Sequence, residues 1–226
     1  MKQISGKLVC ETLDEVLDAD HSAVVVIDMQ NDAVLPEGKF ARAGNDISGM
    51  LEIVPRCTGF IEEARALDVL VIHVRTITLR DGRSDSPLLA PRAKASISGE
   101  TEWFLEGSWG AEFCEGCKPL PGEPVVTKHR SSAFRNTDLD QILRNNDIRT
   151  VVVIGEQTPG CVEATYRDAA YHDYYNVLIE DCVAAFDRAQ HEASLLVQRA
   201  RHDVCHSEEA LAIWQRQRGR MPAAGG

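Results

Sequence analysis

The chain has 226 residues, enough for one α/β domain with a large core but too few for two comfortable domains. Apolar residues make up 44% and charged residues 26%, both ordinary for a soluble globular protein. The net charge of -11 argues against nucleic acids and anionic membrane surfaces as partners, because their phosphates would repel the chain.

Signals for secretion or membrane insertion are not found in the sequence. The N-terminus has no charged segment followed by an apolar stretch, and no apolar run approaches the ~20 residues that span a bilayer. The seven cysteines, an odd number, stand without a secretion signal. We therefore expect reduced thiols and a cytoplasmic location.

Short β-branched runs alternate with stretches of helical periodicity after an acidic lead-in arm at residues 1–20. Continuous apolar runs of this length are typical of strands that are buried on both faces, as in a parallel sheet. The predicted strands are Ala23–Asp28, Val69–Thr76, Pro124–Lys128, Thr150–Gly155, Val177–Glu180 and Asp203–Cys205.

Helical periodicity fills most of the gaps between these strands. Pro55 predicts that the first helix either breaks or begins at this position. Thr137, with Asp140 three residues later, resembles a capping box, and Ser207 is a plausible N-cap. The predicted helices are Ile47–Leu67, Thr137–Asn145, Cys161–Asp173, Gln190–Arg201 and Ser207–Gln217.

This alternation predicts an α/β fold with a doubly wound, mainly parallel six-stranded sheet that is flanked by helices. Residues 77–123 interrupt the rhythm, because they form a long stretch that is rich in Gly, Pro and Ser. Such an insertion often forms a lid or an interface. We predict a single domain over residues 1–226, with the irregular insertion at about 77–123.

Three reactive side chains follow predicted strands. In an open parallel sheet, ligands bind beyond the carboxyl ends of the strands. Asp28 and Lys128 end two strands, and Cys161 lies between a third strand and the next helix. The sequence therefore predicts an acid, an amine and a thiol at one edge of the sheet.

This combination suits catalysis by a thiolate nucleophile. A helix N-terminus and a neighbouring ammonium both lower the pKa of a thiol. Asp28 can take the thiol proton and pass it to a leaving nitrogen, while backbone N–H groups of the turn bind an oxyanion. Each residue alone has a plainer role, as a packed cysteine, a turn aspartate or a solvated lysine.

Three separated motifs resemble the isochorismatase-like cysteine hydrolases. They are VVVIDMQND at residues 24–32, VVTKHRSSAFRNTDLDQIL at 125–143 and VVVIGEQTPGCVEATYRDAAYHDY at 151–174, with VLIEDCVAAF following at 177–186. The resemblance implies a Rossmann-like fold and an enzyme that hydrolyses carbon–nitrogen bonds other than peptide bonds. It also implies a homo-oligomer, either a dimer or a tetramer.

The resemblance assigns roles to residues of these motifs. It implies a catalytic triad of Asp28, Lys128 and Cys161, in which the thiolate attacks a carbonyl carbon and forms a thioester that water hydrolyses. It also implies a cis peptide bond at Glu156–Gln157. The backbone N–H groups of Gln157 and Cys161 would then form the oxyanion hole.

The chain departs from the family pattern at two places. An aromatic residue usually follows the first motif, but this chain has Ala33, so we expect Phe40 or Trp109 to form that pocket wall. The nicotinamidase branch carries a metal-binding Asp and His cluster after the second strand, where this chain reads TITLRDGRSDSP. We therefore expect no nicotinamidase activity, no catalytic metal and no cofactor.

The predicted substrate is a small ureido or carbamoyl compound. Cys161 favours C–N cleavage, since members that act on isochorismate need no cysteine nucleophile. We predict a biuret- or triuret-like compound, with ureidoacrylate or an N-carbamoyl amino acid as the alternative. Asn31, Arg130, Arg135 and Gln157 could supply hydrogen bonds to such a ligand, although surface or structural roles are equally open.

Functions of other classes also remain open. Cys114 and Cys117 form a CxxC motif, but zinc would need two more ligands. A non-catalytic binding protein on this fold would be expected to have a damaged triad. Tyr171, Tyr174 and Tyr175 are predicted to pack at a subunit interface.

Overall fold

The structure is a computed structural model that describes residues 1–88 and 103–219. The lead-in arm forms a small antiparallel hairpin of β1 (Lys2–Ile4) and β2 (Lys7–Val9), followed by the short helix α1 (Leu13–Val16). No helix within the described ranges combines the length and the apolar character that a bilayer crossing requires.

Six parallel strands form the central sheet in the order β5-β4-β3-β6-β7-β8. This arrangement confirms the predicted doubly wound parallel sheet. The strands are β3 (Ser22–Ile27), β4 (Leu70–Thr76), β5 (Val125–Lys128), β6 (Thr150–Glu156), β7 (Tyr175–Ala184) and β8 (Asp203–Cys205).

Helices cover both faces of the sheet, which explains why its strands are apolar on both sides. The helices are α2 (Asn31–Val34), α3 (Lys39–Arg42), α4 (Ser48–Ala66), α5 (Leu139–Asn145), α6 (Glu163–Tyr171), α7 (Arg188–Arg199) and α8 (Ser207–Gln217). In β3, Val24 and Val26 pack into a core with α4 and α8, whereas Val25 and Ile27 pack into a second core with α5, α6 and α7.

Helix α4 runs unbroken through Pro55, so the predicted break is wrong. Proline removes a backbone N–H and normally disturbs a helix interior. Pro55 is exposed here, and so is Leu51 one turn earlier, whose carbonyl loses its partner in the helix. Water can bind that carbonyl on the solvent face, so the helix continues.

The predicted cap residues have other roles. Helix α5 begins at Leu139, and the Thr137 hydroxyl accepts a hydrogen bond from its N–H. Asp140 does not complete a capping box, because its carboxylate accepts a hydrogen bond from the Tyr174 hydroxyl. Ser207 is the first residue of α8 and not its N-cap, since its hydroxyl donates to a carboxylate of β7.

Of the three tyrosines predicted to form an interface, Tyr174 is buried in its own chain, so that prediction is wrong for this residue. Its ring packs against the ring of Phe134, and β7 begins at the next residue. Tyr175 is half-buried and accepts a hydrogen bond from the Cys10 N–H of the arm. Tyr171 is exposed.

The described parts of the insertion attach to the segment that follows β3. Gln30 and Phe113 form an isolated β-bridge, and the Asp32 carboxylate accepts a hydrogen bond from the Phe104 N–H. Two short 3-10 helices, Trp109–Ala111 and Glu115–Cys117, add little regular structure. Residues 89–102 of the predicted insertion lie outside the described residues.

Candidate active site

The strand order brings the three predicted side chains to the carboxyl edge of the sheet. Asp28 follows β3 and Lys128 ends β5, so they lie on either side of Thr76, the last residue of β4. Cys161 reaches the same edge from the turn after β6, which pairs with β3. Asp28 has a left-handed φ of 51°, a conformation that aspartate tolerates better than most residues.

The Lys128 ammonium joins the other members of the predicted triad. Its Nζ lies 2.7 Å from Asp28 Oδ2 and donates a hydrogen bond to Cys161 Sγ at 3.2 Å. A further hydrogen bond to Thr76 Oγ1 at 2.7 Å gives each of the three N–H groups a partner. Asp28 and Lys128 are each 1% exposed, so the ion pair is shielded from solvent.

Thr76 is a site residue that the sequence analysis missed. Besides accepting from Lys128, its hydroxyl donates to Asp28 Oδ1 at 3.0 Å and so fixes the carboxylate from a second side. The strand-end rule that selected Asp28 and Lys128 applies equally to Thr76. The position of Thr76 at the end of a predicted strand was therefore a usable signal.

Cys161 lies in a π-helical turn, Thr158–Val162, before α6 begins. The predicted helix start at Cys161 is therefore two residues early. Gly160 breaks the helix there, with φ −116° and ψ −105°. The Gln157 carbonyl accepts hydrogen bonds from the N–H groups of Gly160 at 2.9 Å and Val162 at 3.2 Å, which closes the turn.

The end of β6 runs very close to β3. Gly155 has a φ of 115°, and a Cβ at this position would overlap the backbone of Ile27. Only glycine meets both conditions, since it lacks a Cβ and adopts positive φ readily. One residue further along, the peptide bond between Glu156 and Gln157 is cis, at the position that the family resemblance implies.

Helix α7 holds the turn that carries Cys161. The Thr158 hydroxyl is hydrogen-bonded to His191 Nδ1 at 2.9 Å, and Thr158 is fully buried. Ser194 donates to Glu163 Oε2 at 2.5 Å and lies 3.4 Å from the Thr158 carbonyl oxygen. Two side chains of α7, His191 and Ser194, therefore hold the turn in place through Thr158.

The pKa of the Cys161 thiol is raised to about 12, mainly by burial. Lys128 opposes this shift, while Asp28 and Glu156 add to it. The residue keeps some exposed surface, but its sulfur is surrounded by protein. The predicted lowering of this pKa is therefore wrong, and burial favours the protonated thiol.

The remaining charges of the site balance. Burial alone would lower the pKa of Lys128, but Asp28 and Cys161 raise it above its ordinary value. Burial raises the pKa of Glu156 well above its ordinary value, and the negative charge of Asp28 acts in the same direction. One ammonium therefore faces one carboxylate, while burial favours the protonated forms of Cys161 and Glu156.

Asn31, Trp109 and Gln157, predicted to bind substrate, lie at the same edge of the sheet. The Asn31 side-chain amide donates to the Trp109 carbonyl at 2.8 Å, so it also holds the insertion in place. Trp109 is 46% exposed, and Gln157 is half-buried directly before the Cys161 turn. Their roles toward a substrate stay predictions.

Phe40 belongs to an aromatic cluster with Trp103, Phe104 and Phe186. Its ring centroid lies 5.0 Å from that of Phe186, which follows β7, and 5.5 Å from that of Trp103. Ala33 itself is fully buried in the core. The sequence predicts a pocket role for Phe40 but not its aromatic partners, because only the fold brings these rings together.

The two predicted arginines are both exposed. The Arg130 guanidinium donates to the Ser84 carbonyl at 2.8 Å and so ties the segment after β5 to the insertion. Arg135 lies on the surface before α5. Contact of either arginine with a substrate stays a prediction.

The CxxC pair is a buried part of the insertion. Cys114 and Cys117 are free thiols that are 1% and 0% exposed, and the Cys114 N–H donates to the Met29 carbonyl. Within residues 1–88 and 103–219, no group of three or more His, Cys, Asp or Glu side chains could hold a metal ion. The zinc hypothesis therefore gains no further ligand there.

Known proteins resemble this chain in sequence and in structure. The isochorismatase domain matches residues 22–209. The ureidoacrylate amidohydrolase RutB of Caulobacter segnis is 35% identical over 176 residues, which cover 73% of each chain.

Two solved structures extend this likeness. A cysteine hydrolase from Pseudomonas syringae superposes with a TM-score of 0.77 and 26% identity, covering 94% of this chain and 99% of that one. The N-carbamoylsarcosine amidase of Thermoplasma acidophilum gives a TM-score of 0.64 and 29% identity, covering 83% and 96% of the chains. With the domain match over most of its length, the chain belongs to the isochorismatase family.

Proposed function

We propose that the chain is an amidohydrolase that cleaves the C–N bond of a small ureido or carbamoyl compound, with Cys161 as nucleophile. The observation that carries this proposal is the buried Lys128 ammonium, which contacts both Asp28 and the Cys161 sulfur. Such an arrangement stabilises a thiolate once the thiol proton has moved to the carboxylate.

The first half of the reaction forms the thioester. As the Cys161 sulfur bonds to the carbonyl carbon, its proton passes to Asp28, because the Lys128 ammonium contacts both groups and holds them at one site. The carbonyl oxygen becomes an oxyanion, for which the backbone N–H groups of Gln157 and Cys161 are the proposed donors. Asp28 then protonates the leaving nitrogen as the C–N bond breaks.

The second half releases the product. Water attacks the thioester carbon and gives a proton to Asp28, and the C–S bond then breaks. Asp28 returns the proton to the Cys161 sulfur, so the resting state is restored. The raised pKa of Cys161 suits this cycle, because the thiolate is needed only while substrate is bound.

The carbamoyl group is the feature shared by the candidate substrates. Ureidoacrylate, biuret, triuret and N-carbamoyl amino acids all contain a carbonyl carbon between two nitrogens. The 35% identity to a ureidoacrylate amidohydrolase now favours ureidoacrylate as the first compound to test. Biuret and triuret, the substrates predicted from the sequence, follow it.

Two further properties belong to this proposal. We infer that the protein works in the cytoplasm, which is supported by seven free thiols in the structure. A dimer or tetramer stays a prediction from the family resemblance. A non-catalytic binding role is disfavoured, because a scaffold would not need a buried ammonium held against a thiol.

Ammonia release from purified protein tests the proposal. Wild type should hydrolyse at least one of ureidoacrylate, biuret, triuret or an N-carbamoyl amino acid, whereas Cys161→Ala should lose at least about 10³-fold in kcat because it lacks the nucleophile. The matched control is Cys10→Ala, a half-buried thiol on the arm, which should keep wild-type rates. Full activity of Cys161→Ala would disprove the assignment.

A further inference from the structure

Glu156 is an acidic residue at the end of an otherwise apolar strand. Gly155 pairs with Ile27 of β3, so Glu156 lies beside Asp28 at the carboxyl edge of the sheet. On its other side, Glu156 pairs with Ala184 of β7. The backbone therefore places a second carboxyl group next to the predicted triad.

Glu156 is a nearly buried residue whose carboxyl has no hydrogen-bond partner within the described residues. Only 4% of the residue is exposed. The other buried acids at this edge are satisfied, because Asp28 is bound by Lys128 and Thr76, and Asp32 by backbone N–H groups. A buried, unpaired carboxyl destabilises a protein, so its presence points to a function.

The Glu156 carboxyl lies within electrostatic range of all three residues of the proposed triad. It interacts electrostatically with Asp28, Lys128 and Cys161. Burial and the charge of Asp28 raise its pKa, which favours the protonated acid with one O–H donor and one carbonyl acceptor. A carboxylic acid kept neutral in an apolar site can donate a hydrogen bond to a developing oxyanion.

We propose that Glu156 is a further substrate-binding group, which donates a hydrogen bond to the oxygen and accepts one from the nitrogen of the group that Cys161 attacks. This inference rests on the proposed hydrolase function. An amide or ureido group presents an N–H donor and a carbonyl acceptor side by side, which is complementary to a protonated carboxyl. The donated bond strengthens as negative charge grows on the oxygen during attack.

Substitutions at Glu156 separate this role from a structural one. Glu156→Met removes both hydrogen-bonding atoms but keeps the size, so it should raise Tm and lower kcat by about 10²-fold, as the loss of an oxyanion donor does. Glu156→Gln keeps one donor and one acceptor, so it should retain kcat within about tenfold of wild type. Opposite changes in Tm and kcat are the expected signature.

The control is Gln198→Met, since Gln198 is 1% exposed, lies in the last turn of α7 and has both side-chain polar atoms unpartnered. It should raise Tm and leave kcat unchanged. Wild-type kcat and KM in Glu156→Met would overturn the inference while leaving the hydrolase proposal intact. If Glu156→Met does not fold, Glu156→Gln decides, and a folded but inactive Gln variant overturns the inference. A wild type inactive on all the compounds overturns both proposals.

Discussion

Lys128 is the cation on which the charge balance of the site depends. Its three N–H groups are shared among a carboxylate, a hydroxyl and a sulfur, and almost no solvent reaches it. A buried ion pair is not itself strongly stabilising, but removal of one partner leaves a buried charge without compensation. The stability of the site should therefore depend on both partners together.

A double-mutant cycle on this ion pair tests that dependence. Lys128→Met alone should lower the free energy of unfolding by about 3–5 kcal/mol, because the Asp28 carboxylate stays buried without its counter-charge. The double variant with Asp28→Asn should be more stable than Lys128→Met, and all variants should be inactive. Urea unfolding provides the measurement, and strictly additive losses would contradict the coupling.

The protonation state of Cys161 makes a second prediction at this scale. Because its pKa is raised to about 12, the free protein should react slowly with iodoacetamide at neutral pH. The rate should rise about tenfold per pH unit between pH 7 and 10 without a plateau, since the thiolate is the reactive form. Peptide mapping by mass spectrometry follows Cys161, with Cys10 as the reference thiol.

The linkage to stability has a defined sign. The folded state favours the neutral thiol, so its contribution to stability is complete below the ordinary thiol pKa and is lost as pH rises toward 12. A plateau of the alkylation rate at or below neutral pH would show a resting thiolate instead. That result would restore the pKa direction expected from sequence.

At the residue scale, the three residues of the proposed triad could be predicted from sequence, but their electrostatics could not. Asp28, Lys128 and Cys161 could be found because the carboxyl ends of parallel strands meet at one edge. Thr76 could have been found by the same rule. The pKa direction of Cys161 could not, because it depends on how many atoms surround the sulfur in the folded chain.

At the scale of elements, the approach of β6 to β3 sets the position of the turn that carries Cys161. Gly155→Ala should lower the free energy of unfolding by at least about 3 kcal/mol, since it adds a backbone overlap to a left-handed φ. Gly59→Ala is the matched control, because Gly59 lies in α4 with open space around it. This control should stabilise the protein by about 0.5–1 kcal/mol. Equal unfolding midpoints for the two variants would contradict the close approach of the strands.

The bounds of five of the six sheet strands were predicted to within one residue. The strand at Asp203–Cys205 is found as predicted, but β7 is longer than the predicted Val177–Glu180 because it continues through polar residues. Glu180 binds Arg199, and Asp181 binds Ser207, so both acids have partners. A rule that identifies strands by runs of apolar residues cannot predict such partners, since they come from distant parts of the chain.

At the scale of the whole molecule, the fold supplies the site with two kinds of support. The sheet brings Asp28, Thr76 and Lys128 together from three neighbouring strands, and α7 holds the turn of Cys161 through Thr158. These contacts join residues more than 30 positions apart in the chain. The order of the strands, and not any single motif, therefore creates the proposed reaction site.

The proposed function depends on a covalent thioester at Cys161, and trapping this thioester with hydroxylamine tests it most directly. During hydrolysis of ureidoacrylate or biuret, hydroxylamine should compete with water for the thioester and divert product into an N-hydroxyurea, detected by mass spectrometry. Its yield should rise with hydroxylamine concentration and vanish in Cys161→Ala. Continued hydrolysis without any N-hydroxyurea would contradict the thioester and indicate direct attack by water.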